Sequence, residues 1–169
     1  MTNIKNSLAL AFLPGYLYSS KYEDQIQKNK DDRNPPVTKN PTEGSDQELI
    51  KKYLKGLQLE SYDYIKEIIH PEFKCINTNT DSIHNSIEEI THWKSEHNLM
   101  NHLSFSEPKL TSIRVNRGIL KGDWTLVWTV FSALDSKTLK SISYEYHMAI
   151  KTEENKILEI QTWHQLDED

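Results

Sequence analysis

The chain has 169 residues, enough for one domain with a sizeable core plus an extension and too few for two ordinary domains. Its net charge of −5 and pI near 5.8 come with Lys and Arg scattered rather than striped, which argues against a nucleic-acid or anionic-membrane partner. The hydrophobic fraction is only 36%, and the deficit lies in the first 45 residues, so the remainder can still build a core.

Near the start, Lys5 precedes Ser7-Leu8-Ala9-Leu10-Ala11-Phe12-Leu13, a pattern resembling a short signal-peptide core. A single positive charge, the early Pro14-Gly15 and the lack of a small-x-small cleavage site stand against it. The compartment is therefore unknown from sequence, the cytoplasm slightly favoured and export the alternative. No run is long enough to span a bilayer. Residues 21–45 are Lys, Asp, Asn, Gln, Pro and Thr with almost no apolar side chain, which predicts a linker. The expected division is an N-terminal extension over 1–44 and one domain over 45–169.

Ser45-x-x-Glu48 has the capping-box pattern and opens a predicted helix with Leu49, Ile50, Tyr53, Leu54 and Leu57 at helical spacing. Ser61 opens a second, short helix that buries Tyr62, Ile65, Ile68 and Ile69 and stops at Pro71. A short strand over 73–77 and a polar loop over 77–81 follow. Ser86-x-x-Glu89 is a further capping-box pattern, opening a helix with Ile87, Ile90, Trp93 and His97 roughly on one side. The rest alternates as strands: 103–105, 109–116, a long run over 119–133 broken or bulged near Gly122, 139–152 and 157–166. Helices first and an antiparallel sheet afterwards predict an α+β layer fold.

That order, with three stretches, resembles the nuclear-transport-factor-2-like superfamily and its SnoaL-like bacterial branch. The stretches are 62–73 (Tyr62 to His70-Pro71-Glu72-Phe73), Trp124-Thr125-Leu126-Val127-Trp128, and Asn155-Lys156-Ile157-Leu158-Glu159-Ile160. The resemblance covers about 45–167 and implies a cone-shaped curved antiparallel sheet packed on three helices around an internal pocket, commonly as a homodimer. From Tyr53 to Asn77 the chain aligns without a gap to ketosteroid isomerase, a member. That alignment implies Tyr53 at the position of an oxyanion-hole tyrosine and Asn77 where the member keeps its carboxylate base. His147 falls where the member keeps the second oxyanion-hole acid. An amide cannot abstract a proton, so steroid isomerisation is not expected.

The candidate catalytic residues are thus Tyr53 and His147, and the candidate ligand-binding residues are Asn77, Trp93, Trp124, Trp128 and His164. Trp124 and Trp128 are four apart on one strand and share a face, as core or as pocket wall. For His147 the two arguments conflict. Alternation puts Tyr144, Tyr146, Met148 and Ile150 on the apolar face and His147 on the other. The resemblance puts His147 inside, which requires a second subunit to cover the Tyr144, Tyr146 and Met148 side. The expectation is His147 inside. His164 lies on an otherwise apolar face with Leu158, Ile160, Thr162 and Leu166. Cys75 is alone, excludes an intrachain disulfide and reads as a small buried residue. His92, His97 and His102 are spaced by five, which does not converge on a metal. Asp81 is a loop carboxylate near the vacant base position. No metal or cofactor is expected, and no phosphate-binding loop or nucleophile elbow is present.

Three functions fit these readings. One is a binding domain for a small apolar or carbonyl-containing molecule with an aromatic-walled pocket. Another is an isomerase-, dehydratase- or cyclase-type enzyme using Tyr53 and His147, with His164 or Asp81 as further groups. The last is a homo-oligomeric interaction module, assembled through the outer sheet face around an inert interior.

Overall fold

The computed structural model describes residues 36–164 apart from residues 79 and 81. Strand β1 (Val37–Lys39) leads into α1 (Glu43–Gln58) and α2 (Tyr62–Ile68). Then come β2 (Ile69–Asn77), β3 (Ser82–His84) and α3 (Ser86–Leu99). The chain continues with β4 (Met100–Phe105), β5 (Lys109–Val115), β6 (Gly122–Asp135), β7 (Ser141–Glu153) and β8 (Lys156–His164). Among the described residues no helix is long and apolar enough to cross a membrane.

The helix starts differ from the sequence patterns in an informative way. Helix α1 begins at Glu43 with Thr42 as N-cap, so Ser45 and Glu48 lie inside the helix rather than closing a capping box. Asp46 instead ties the entry together. Its Oδ2 accepts from Asn40 Nδ2 and Thr42 Oγ1, both at 2.7 Å, and places a negative charge in the first turn, where the helix dipole favours it. Helix α3 is capped by Asn85. Its side chain accepts from the Ile87 and Glu88 amides, and Glu88 reaches back to the Asn85 amide at 2.8 Å. The box predicted on Ser86 and Glu89 is displaced by one residue, about 100° of helix rotation. That rotation turns Glu89 into the interior.

The strands form one eight-stranded sheet in the order β1-β5-β6-β7-β8-β2-β3, with β4 also paired to β6. Strands β5 and β4 share one edge of β6, β5 along Gly122–Trp128 and β4 along Phe131–Asp135. The expected sheet was wholly antiparallel, whereas β2 and β8 run parallel. Their connection passes through α3 and five strands, so no hairpin dictates their relative direction. Strand β1 comes from the segment read as linker: Val37, a rare apolar residue there, is buried and pairs with Val115. A three-residue edge strand needs no more than that. The β7–β8 hairpin turns through Glu154 and Asn155, both with positive φ (51° and 60°), the backbone that a tight two-residue turn demands.

Alternation along the strands sorts the core into two. On the helix side, Val127, Phe131, Met148, Ile150 and Ile160 pack with Ile50, Tyr53, Leu57, Ile65 and Trp93. On the outer side, Trp124, Leu126 and Ala149 pack with Val37, Ile113 and Val115. Each such aliphatic or aromatic side chain, once buried, contributes about 1.5–3 kcal/mol. The helix-side space is crossed by a chain of rings: Trp93 to Phe105 (6.0 Å), Phe105 to Phe131 (5.6 Å) and Phe131 to Tyr144 (4.9 Å).

Candidate functional site

The polar centre of the interior is Glu89, a carboxylate only 5% exposed. One oxygen, Oε1, accepts the Trp93 indole N–H at 2.8 Å and the Tyr53 hydroxyl at 3.4 Å. The other, Oε2, lies 3.1 Å from Nδ1 of His84. Each partner comes from a different element. Trp93 stands one turn along α3, Tyr53 projects from the buried stripe of α1, and His84 ends the edge strand β3. Cys75 of β2 pairs in register with His84 and Ile160, so it faces the same side.

Electrostatics follow from burial. Desolvation pushes the Tyr53 phenol well above its usual range, and the Glu89 charge adds to that shift. Burial and then Glu89 do the same to the Cys75 thiol. Burial likewise raises Tyr146, with Cys75, Glu89 and Tyr144 adding to it. All three remain proton donors, never anions, across the neutral range. Next to them an acceptor-only carboxylate is satisfied rather than opposed.

The sequence-derived residues divide between the two faces. Tyr53 and Trp93 are buried on the helix side, both on Glu89. Asn77 is half-buried at the end of β2, in register with Ser82 and Thr162 and on the same face as Cys75. His164 occupies the register position opposite Tyr146. Asp81 and residues 1–35, including the signal-like run, lie outside the described residues.

His147 requires correction. It sits on the outer face, in one cross-strand row with Lys109, Trp128 and Trp163, while its neighbours Tyr146 and Met148 pack against the helices. Strand alternation governs here because Tyr144, Tyr146, Met148 and Ile150 form a continuous apolar set that the helices bury. No second subunit is needed to cover them. Tyr53 and His147 therefore stand on opposite sides of the sheet and cannot act on one molecule together. The Tyr53 hydroxyl, moreover, is already engaged by Glu89.

Trp124 and Trp128 do share a face, but it is the outer one. Trp124 is 1% exposed and donates its indole N–H to the Leu120 carbonyl at 2.8 Å, a packing role. Trp128 lines an open cavity of about 260 Å³ with Lys109, Glu145 and His147. There the His147 ring stacks on Trp163 (5.7 Å, 26°), and its Nε2 lies 3.3 Å from Glu145. A second cavity, about 310 Å³, opens between α1 and the β4–β5 connection, lined by Lys51, Leu54, Lys55 and Phe105 among others.

Sequence reasoning missed Glu89 and His84. By sequence Glu89 fits a cap, although Asn85-x-x-Glu88 offers the same pattern one residue earlier, and Glu89 stands four before Trp93. His84 lies on a three-residue strand too short to show a period. Among the described residues no group of three or more His, Cys, Asp or Glu is arranged to hold a metal ion.

No protein-family model matches the sequence, and no curated protein matches it. Solved structures do match the fold. A putative SnoaL-like polyketide cyclase from Jannaschia sp. CCS1 superposes with a TM-score of 0.62 at 12% identity, covering 76% of this chain and 90% of that one. An NTF2-like protein from Burkholderia xenovorans gives 0.59 at 11% identity, covering 75% and 93%. A hypothetical protein of ketosteroid-isomerase-like fold from Catenulispora acidiphila, in complex with trimethylamine, gives 0.59 at 8% identity, covering 70% and 86%. The chain thus has the nuclear-transport-factor-2-like α+β fold, an open curved sheet against three helices.

Proposed function

We propose that this chain is a small-molecule-binding domain whose ligand lies at the polar end of the helix-side face, against Tyr53, Asn77, Glu89, Trp93 and the His84 rim. The His164 position belongs to the same region through its pairing with Tyr146. The observation that carries the reading is the Glu89 cluster. A carboxylate in an aromatic interior costs several kcal/mol of desolvation, offset by its hydrogen bonds to Trp93, Tyr53 and the His84 ring. The same fold holds trimethylamine in the Catenulispora protein, which supports a small-molecule role.

The test is a thermal-shift panel of small neutral carbonyl and hydroxyl compounds against wild type, Asn77→Ala and His147→Ala. The reading expects stabilising compounds whose effect is lost in Asn77→Ala and kept in His147→Ala. Dependence on His147 instead would move the site to the outer cavity.

We further infer a homodimer through the outer face. The Lys109, Trp128, His147 and Trp163 row is an amphipathic strip, and Val130 beside it is 39% exposed. Light scattering that gives a monomer mass across micromolar concentrations would contradict it.

A further inference from the structure

Because its Nδ1 faces Glu89, the His84 ring is held with its other nitrogen turned away from the carboxylate. A carboxylate offers acceptors only, so the proton between the two groups rides on Nδ1. A neutral imidazole protonated on Nδ1 has a bare Nε2. That atom makes no hydrogen bond among the described residues. The side chain is 26% exposed, so the ring stands at the rim and not in the sealed core.

We infer that His84 is the specificity-determining acceptor of this site, selecting neutral ligands that carry an O–H or N–H donor, with Glu89 as its positioning residue. The inference rests on the binding proposal above and adds the ligand's chemistry to it. Three features set that chemistry. The bare Nε2 asks for a donor. Glu89 behind the ring repels an anion. The surroundings are aromatic: the Trp93 indole donates to Glu89, and the His92 ring is 5.4 Å from that of His84. Small phenols and apolar alcohols fit all three.

The same geometry accounts for the anchoring of Glu89. Trp93 and Tyr53 hold Oε1 from two helices, which fixes the direction of Oε2 and hence the ring plane of His84. A carboxylate that merely filled a polar gap would not need its second oxygen aimed at a rim histidine.

Two measurements test this. Nitrogen-15 NMR of the full chain, followed through a pH series, reads the protonation of each ring nitrogen directly. The expected result is a protonated Nδ1 and bare Nε2 on His84, with the Nε2–H form appearing in Glu89→Gln. A dominant Nε2–H form in wild type overturns the proposal. Calorimetry with 4-ethylphenol and 4-ethylanisole then reads the preference. Wild type is expected to bind the phenol about tenfold more tightly than the methyl ether, and His84→Ala to bind both alike. Equal affinities in wild type, or a phenol preference that survives His84→Ala, overturn it as well. If neither compound binds, the binding proposal fails, and the tautomer alone decides this one.

Discussion

Trp93 and Glu89 stand one helical turn apart, and the indole N–H of the first donates to the carboxylate of the second at 2.8 Å inside the protein. The pair turns a helix face that otherwise reads as ordinary core into a fixed polar point. Truncating Glu89 orphans both the Trp93 and the Tyr53 donors. Each unsatisfied buried donor costs about 1–3 kcal/mol. Glu89→Ala is therefore expected to lower the urea midpoint strongly, and Glu89→Gln, which keeps an acceptor, to lower it less. Equal losses in the two variants would show that the hydrogen bonds contribute nothing beyond packing.

The cap of α3 separates two readings of one short stretch. Asn85 accepts from two backbone amides, and Ser86 has no capping role. Asn85→Ala should cost about 1 kcal/mol in chemical denaturation, and Ser86→Ala should stay within about 0.5 kcal/mol. The reverse ranking would restore the box first suggested by Ser86 and Glu89.

Alkaline titration gives a further check. Burial raises Tyr144 to about 12, with Glu96 adding to it, and raises Tyr62 to about 12, with Glu60 adding to it. Tyr53 and Tyr146 are also pushed well above their usual range, burial being the first cause. An unfolded chain loses these protons near pH 10, so between about 10 and 12 the folded state holds more protons than the unfolded one. Stability is then untouched below pH 10 and falls as pH rises through that window. Tyrosinate absorbance should rise late for these residues and together with loss of near-UV circular dichroism. Complete ionisation near pH 10 with the fold intact would contradict the burial described.

On the outer face, His147 stacks on Trp163 and lies 3.3 Å from the exposed Glu145. His147→Ala removes one ring contact, worth about 0.5–1.5 kcal/mol, and touches nothing on the helix side. The expected outcome is a small drop in melting temperature with ligand response unchanged.

How much of this was legible in the sequence depends on which signal each residue carried. The long strands and the helical stripe of Tyr53 showed a clear period, so the α+β layering followed directly. For β7, the period of two puts His147 on the outer face, where it is found, against the placement that the resemblance implies. Glu89 was hidden because two overlapping capping patterns compete within five residues, and only tertiary packing decides which serine or asparagine starts the helix. The parallel pairing of β2 with β8, and the three-residue strands β1 and β3, leave no mark that a single chain can show.

Four tryptophans report on the two faces, since Trp93 alone lies on the helix side while Trp124, Trp128 and Trp163 cluster on the outer one. The most direct measurement is therefore a two-dimensional NMR titration of the indole N–H signals with 4-ethylphenol or with a compound found in the thermal-shift panel. The Trp93 signal is expected to move first and saturably, with the other three still. Movement confined to Trp128 and Trp163 would place the ligand on the outer face and remove the basis for a site around Glu89.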